Sequence, residues 1–285
     1  MKLSVENYVF RTRFGEFEGL EYIKKAGFDC VDMSFYSYSS KRPNPLDEGY
    51  VEYMTSLRAK LDSLELKCNQ SHAPFEMGYG ARFDESDASY KRLVHSIHSA
   101  AILGAKAIVV HAIHVPEGED LVEYNYGFYS SLKKYCLEYG IKVAVENLYG
   151  HAADGSFTPV FGNPELLSDF VLRLGTDCFC ACIDTGHASL NGYAPEDFIR
   201  GMKKGVLEVL HIHDGDGLGD RHVLPYTGDF KWSKVLEALK EIQYQGEFTF
   251  EILTYLRKFP DELIPDALDL AYKTGRYLIN KFENL

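Results

Sequence analysis

The sequence has no long apolar run and no excess of positive charge. Its most apolar stretch, AKAIVVHAI (105–113), is too short to cross a bilayer and is typical of a buried strand. Thirty basic residues against 42 acidic ones give a net charge of −12, which is no signature of nucleic-acid or membrane binding. The opening residues, MKLSVENYVF, lack the apolar core of a signal peptide. We therefore expect a soluble, cytoplasmic protein.

Cysteine occurs six times, but never in the CxxC spacing of a zinc ribbon. Cys178, Cys180 and Cys182 alternate along one apolar stretch, which places their side chains on one face of a strand. Buried thiols explain this pattern better than disulfides do. A glycine-rich phosphate loop is also missing, so we expect no nucleotide cofactor.

The sequence instead alternates short apolar stretches with longer amphipathic ones. Eight short stretches, β-branched or aromatic and bounded by turns, predict strands: KLSVEN, FDCVDMSF, LKCNQSHA, AKAIVVHA, IKVAVENL, FCACIDTGH, LEVLHIHD and EFTFEIL. The amphipathic stretches predict helices, several ending in glycine: Gly27, Gly104, Gly140, Gly175 and Gly246. Eight strands alternating with eight helices predict an α/β fold, a single (β/α)8 TIM barrel over residues 1–285.

Ionisable residues end six predicted strands in succession. They are His72, His111, Glu146, Asp184 (with His187 just beyond), His211 and Glu251. In a barrel these strand ends meet at one mouth, where active sites lie. One such residue alone is more often a packing or capping residue, but that does not explain six in a row. Carboxylates crowded at one mouth repel each other, and a divalent cation removes this penalty. The sequence therefore predicts a metal site.

The predicted ligands are oxygen and nitrogen atoms, with no thiolate among them. Such a mixed set suits Mn²⁺, Co²⁺, Fe²⁺ or Zn²⁺ better than Ca²⁺, and Mg²⁺ remains a further candidate. A structural zinc site is not expected.

Five motifs resemble the xylose isomerase-like barrels, a superfamily that includes sugar-phosphate isomerases and epimerases, ketose 3-epimerases and endonuclease IV. They are VENLYG (Glu146), CIDTGHA (Asp184, His187), LHIHD (His211), DRH (Asp220, His222) and FEI (Glu251). The resemblance covers nearly the whole chain. It implies a divalent-metal-dependent enzyme acting on a sugar or a sugar phosphate.

In the epimerase branch, the resemblance implies that one metal is held by Glu146, Asp184, His211 and Glu251. Glu146 and Glu251 would also be the catalytic acid and base, one removing a proton next to the carbonyl and the other returning it to the opposite face. Six further residues would bind substrate or additional metal: His72, His111, His187, Asp220, Arg221 and His222.

Endonuclease IV provides the main alternative, because its three-metal ligand pattern can also be matched here. The chain would then cleave DNA at abasic sites. Three features favour the sugar enzyme: the acidic charge, Phe75 where the nuclease has a tyrosine, and LPYTGDFKW, which lacks the glutamate of the nuclease's Gly-Glu-Gly signature. A non-catalytic binding barrel ranks last, since both glutamates are present. The sequence leaves homo-oligomerisation open.

Two residues near these motifs are expected to lie outside the site. Of the pair His211 and His213, we expect only His211 to face the site. We expect Trp232 to pack at the start of a helix rather than to bind substrate.

Overall fold

Eight parallel strands form a barrel in the computed structural model, which describes residues 1–36, 38, 43–75, 83–113, 115–116, 118–151 and 157–285. These ranges contain ten strands, and all except β6 and β7 belong to the barrel. The strands are β1 (Leu3–Glu6), β2 (Cys30–Ser34), β3 (Lys67–His72), β4 (Ala107–Val110), β5 (Lys142–Glu146), β6 (Leu148–His151), β7 (Phe157–Val160), β8 (Phe179–Asp184), β9 (Leu207–His211) and β10 (Phe248–Phe250). The prediction of an α/β TIM barrel is confirmed, and each of the eight predicted stretches contains a strand.

The barrel strands follow the order β10-β1-β2-β3-β4-β5-β8-β9, and all neighbours in this order are parallel. The ring closes between β9 and β10 through one parallel bridge, Ile212 with Phe250. There the Ile212 N–H donates to the Thr249 carbonyl at 2.8 Å, and the Glu251 N–H donates to the Ile212 carbonyl at 3.0 Å. The first and last strands of the chain, β1 and β10, lie side by side, with Ser4 opposite Thr249.

Helices surround the barrel, and there are more of them than the sequence predicts. In the described part of the chain they are α1 (Tyr8–Phe14), α2 (Glu16–Ala26), α3 (Tyr50–Ser63), α4 (Ala88–Leu103), α5 (Leu121–Tyr139), α6 (Pro164–Leu174), α7 (Thr185–Leu190), α8 (Pro195–Gly201), α9 (Trp232–Glu241), α10 (Leu253–Arg257) and α11 (Ile264–Glu283). The extra ones include short helices that directly follow a strand, such as α7 after β8. No helix within the described ranges is long and apolar enough to span a membrane.

Four of the five predicted helix-ending glycines lie at helix C-termini: Gly27, Gly104, Gly140 and Gly175. The prediction for Gly246 is wrong, because α9 already ends at Glu241. Gln243 takes the left-handed conformation there, with φ 59°. The Tyr244 N–H then donates back to the Leu239 carbonyl at 3.0 Å, which completes the turn that closes the helix.

On the side of β4, β5, β8 and β9, the barrel interior is apolar below and ionisable above, and the period of the strands explains the change. A small inward-facing cluster fills the lower part: Ala107, Val109, Ala144, Cys180, Cys182 and Val209. Side chains two residues apart share a strand face. The next inward positions are therefore His111, Glu146, Asp184 and His211. All six cysteines are buried free thiols, as predicted.

One element of the mouth was not predicted. Strands β6 and β7 form an antiparallel hairpin, with Leu148 opposite Val160. It lies in the long connection between β5 and α6. Glycine and proline interrupt the alternation of this segment, so the sequence pattern does not reveal its two strands.

Candidate metal centre

Four buried side chains at the ends of four strands form what we call the strand-end group: Glu146, Asp184, His211 and Glu251. Each offers one ligand atom, and these atoms lie within 4.8 Å of one another. The Nδ1 of His211 lies 2.8 Å from Glu146 Oε1 and 3.4 Å from Glu251 Oε2. The four residues that the sequence predicts as metal ligands are thus brought together in the structure.

Local hydrogen bonds hold Asp184 in this position. Its backbone N–H donates to Asn147 Oδ1 at 2.7 Å, and Asn147 Nδ2 donates to its carbonyl at 3.0 Å. Its own Oδ1 accepts the His187 N–H at 2.7 Å, which caps the N-terminus of α7. The DTGH sequence therefore fixes both the carboxylate and the helix that carries His187.

Three further side chains form the loop group: His187, Asp220 and His222. They also offer one ligand atom each within 4.8 Å. His222 Nε2 lies 3.0 Å from Asp220 Oδ2, and His187 Nε2 lies 3.7 Å from Asp220 Oδ1. The Asp220 side chain is 27% exposed. This group comes from α7 and from the connection after β9, not from a strand.

His213 belongs to the site, and the expectation that it would point away from it is wrong. Its Nε2 lies 3.0 Å from Asp184 Oδ1, and its ring stacks on His222 with 4.1 Å between centroids. Asp184, His213 and His222 form another possible ligand set. His211 and His213 are two residues apart and therefore share one strand face, so strand periodicity predicts that both side chains face the site.

Gly186 makes room for the His213 ring. A Cβ atom at position 186 would lie 2.0 Å from His213 Cε1. The glycine of DTGH is therefore required by close packing of the helix start against the imidazole, a role that the sequence alone does not reveal.

His72 and His111 lie on the other side of Glu146. Their Nε2 atoms are 3.1 Å apart, and His111 Nε2 lies 2.9 Å from Glu146 Oε2. His72, Glu146 and His211 form a further ligand set. Both histidines thus reach the site at the strand ends where the sequence places them.

Arg221 is the predicted site residue that the structure leaves apart from the others. Its side chain is half exposed, and its guanidinium bonds to Asp216, with Nη2 2.8 Å from Oδ2. Trp232 is buried, and its Nε1 donates to Asp214 Oδ2 at 2.8 Å. The expectation that Trp232 packs is confirmed.

Asp214 anchors the connection that carries Asp220 and His222. Besides Trp232, its fully buried carboxylate accepts three backbone N–H groups, at 2.9 to 3.1 Å: those of Gly215, Tyr226 and Phe230. Both ends of the loop are thus held by hydrogen bonds to one side chain.

The two glutamates of the strand-end group differ in proton affinity. Burial alone would raise the pKa of the Glu146 carboxyl, but the attraction of His211 and the contact with His111 hold this pKa well below its usual value. Burial raises the pKa of the Glu251 carboxyl well above its usual value, an effect that His211 only partly offsets. Environments that push two carboxyl pKa values apart are typical of acid–base pairs.

The histidines respond to their surroundings in opposite ways. Burial lowers the pKa of His111 to about 4, which favours the neutral imidazole near neutral pH. Burial also acts to lower the pKa of His187, but the carboxylates of Asp184 and Asp220 outweigh it and raise this pKa to about 10.

The strand-end group fits a divalent cation. Three buried carboxylates converge on one imidazole nitrogen, and their mutual repulsion contributes to the raised pKa of Glu251. Among the described residues, Glu146 Oε2 finds no well-aligned hydrogen-bond donor although it is buried. Oxygen and nitrogen donors of this kind suit transition-metal ions and Mg²⁺.

A cavity of about 710 Å³ opens beside this centre. His111, His187 and Asp220 line its polar side, and Phe75 and Tyr149 line its walls. A volume of this size suits a small organic ligand. A second cavity of about 760 Å³ lies near the N-terminal end of β9, with Lys203 and Lys240 in its lining, and contains no ligand of the centre.

The model of the xylose isomerase-like TIM barrel family matches residues 20–274, so the chain belongs to this family. Several solved structures share the fold. A D-tagatose 3-epimerase-like protein superposes with a TM-score of 0.73 at 23% identity, covering 99% of this chain and 97% of that one. D-psicose 3-epimerase, in the presence of D-fructose, has a TM-score of 0.71 at 15% identity, covering 98% and 99%. The IOLI protein with a bound zinc atom has a TM-score of 0.69 at 17% identity, covering 99% and 98%. Sugar epimerases are thus among the structural neighbours.

Proposed function

We propose that this protein is a metal-dependent isomerase or epimerase of a sugar or sugar phosphate. The observation that carries the proposal is the strand-end group. In it, the carboxylates of Glu146 and Glu251 both lie close to the His211 imidazole, beside a cavity of about 710 Å³. Glu146, Asp184, His211 and Glu251 would hold one divalent ion, Mn²⁺, Co²⁺, Zn²⁺, Fe²⁺ or Mg²⁺. The zinc atom in the IOLI structure and the names of the epimerase structures support this choice.

The chemistry proposed is proton transfer next to a carbonyl group. A cation at the centre would polarise the substrate carbonyl and stabilise the negative charge that develops on its oxygen. Glu146 and Glu251 act as base and acid: one takes the proton from the carbon, and the other returns a proton to the opposite face. His111, His187 and Asp220 line the cavity within reach of substrate hydroxyl groups.

The test is solvent exchange with a panel of ketoses and their phosphates in D₂O. We expect deuterium to enter at the carbon that is inverted. Glu146→Gln and Glu251→Gln should each lower kcat by about 10²- to 10⁴-fold, the usual contribution of general acid–base catalysis. Glu237→Gln is the matched control, because Glu237 is exposed on α9. Conversion of a sugar without deuterium uptake would contradict the acid–base roles of both glutamates.

Endonuclease IV-like cleavage of DNA is the second candidate, and one observation favours it. The loop group, together with His72 and His111 beside Glu146, offers ligands for additional ions. Metal content per chain and nicking of an abasic-site duplex separate the two functions. One ion with sugar turnover supports the epimerase, whereas two or three ions with nicking support the nuclease.

A further inference from the structure

Asp32 faces the side of His211 that the other carboxylates leave free. The Nδ1 of His211 faces Glu146 and Glu251, whereas its Nε2 lies 3.5 Å from Asp32 Oδ2. Asp32 lies on β2 and is fully buried. The imidazole therefore lies between the strand-end carboxylates and one further carboxylate, which no sequence motif singles out.

Both facing groups have unused hydrogen-bonding capacity. Within the described ranges, His211 Nε2 and Asp32 Oδ1 are buried and have no hydrogen-bond partner. An unpaired buried polar atom is costly, and here a potential donor and an acceptor lie next to each other. The 3.5 Å between His211 Nε2 and Asp32 Oδ2 exceeds the usual N–H···O distance by only about 0.5 Å.

A chain of hydrogen bonds holds Asp32 in place inside the barrel. Gln70 Nε2 donates to Asp32 Oδ2 at 2.8 Å, and Gln70 Oε1 accepts from Thr249 Oγ1 at 3.0 Å. Gln70 Nε2 also lies 3.3 Å from the carbonyl of Leu210, the residue before His211. Strands β2, β3 and β10 thus fix the carboxylate relative to the imidazole.

We propose that Asp32 is the positioning residue of the metal centre: it accepts the Nε2–H of His211 and thereby presents the lone pair of Nδ1 to the ion. The proposal rests on the proposed metal site. A neutral imidazole carries its proton on one nitrogen only, so an acceptor at Nε2 selects the tautomer with a free Nδ1. Carboxylates that orient a ligating histidine in this way also raise its basicity as a ligand.

The first test is the affinity of Asp32→Asn for Co²⁺, measured by chelator competition without any sugar. The amide keeps the shape and can still accept from Gln70, but it is a weaker acceptor for His211. We expect the Kd for Co²⁺ to rise by about 10- to 100-fold and the visible Co²⁺ spectrum to change. Glu16→Gln is the matched control, a buried carboxylate on α2 near Arg11, and should leave the Kd unchanged.

Two results would overturn the proposal, and they differ in meaning. An unchanged Kd in Asp32→Asn removes the role of Asp32 alone, whereas a wild-type chain that binds no Co²⁺ removes the metal centre as well. Because no substrate is used, failure to find a sugar reaction does not affect this test.

A second measurement needs no variant. Proton–nitrogen NMR of the zinc-loaded wild-type chain reports which nitrogen of His211 carries the proton. We expect the proton on Nε2. A proton on Nδ1, or zinc bound through Nε2, overturns the proposal even if Asp32→Asn does not fold.

Discussion

The strand-end group and the loop group contain the same kinds of side chain but are supported differently. Glu146, Asp184 and His211 are the last residues of barrel strands, and each is paired with a neighbouring strand, Glu146 with Cys182 and Asp184 with His211. Asp220 and His222 lie in a connection without regular structure, held mainly by Asp214. Strand ends provide a preformed site, because their positions are fixed before any ligand arrives. The loop group depends on the order of its loop.

The largest difference should appear when one carboxylate is removed from each group. We expect Asp184→Ala to lose the bound ion on dialysis, with an affinity loss exceeding the roughly 10–100-fold caused by changes to orienting groups. We expect Asp220→Ala to retain one ion per chain, since Asp220 lies outside the strand-end group. Metal analysis of both variants is the measurement. Equal losses would mean that the two groups bind metal as one unit.

Removing the anchor of the loop should have the next largest effect. In Asp214→Asn, one oxygen that accepts two donors is replaced by an NH₂ group, and each unsatisfied buried donor costs about 1–3 kcal/mol. We therefore expect the free energy of unfolding to fall by about 2 kcal/mol or more, with faster amide exchange in residues 215–230. Asp229→Asn, which changes an exposed carboxylate of the same loop, is the control. Unaltered exchange in the loop would contradict the anchoring role.

Overpacking at Gly186 tests how closely the two groups are joined through His213. We expect Gly186→Ala to cost about 1–3 kcal/mol, the usual effect of a side chain added to a packed interior. In Gly127→Ala, within α5, the new Cβ meets no atom within 4 Å. That control should be neutral, or stabilising by about 0.4–1 kcal/mol. The denaturant midpoints of both variants are the measurement. An unchanged midpoint in Gly186→Ala would show that the His213 ring can move away at little cost in stability.

The smallest effect is expected for Arg221→Ala. Because the guanidinium is exposed and bonded to Asp216, we expect neither the unfolding midpoint nor the metal content to change. The same variant also tests the substrate role that the sequence suggested for Arg221. A raised KM for a sugar that this chain converts would restore that role.

Residues fixed by strand periodicity could be predicted, and those fixed by loops or packing could not. His111, Glu146 and Asp184 follow inward-facing apolar residues at a spacing of two, which the sequence displays directly. The same spacing pointed to His213. The position of Arg221 depends on its pairing with Asp216 across a loop turn, for which the sequence offers no rule. Asp32 lies within an apolar strand, where its partner on β9 is visible only once the barrel is closed.

The closure of the barrel has a thermodynamic consequence. The ring is completed by a single bridge, Ile212 with Phe250, and the residues flanking it are His211 and Glu251. An ion bound by both would act as a cross-link over this seam, between two segments that are adjacent in space but distant along the chain. By mass action, an ion at 100 times its Kd stabilises the folded form by about 2.7 kcal/mol. The melting temperature of this protein would then report how much metal its surroundings supply.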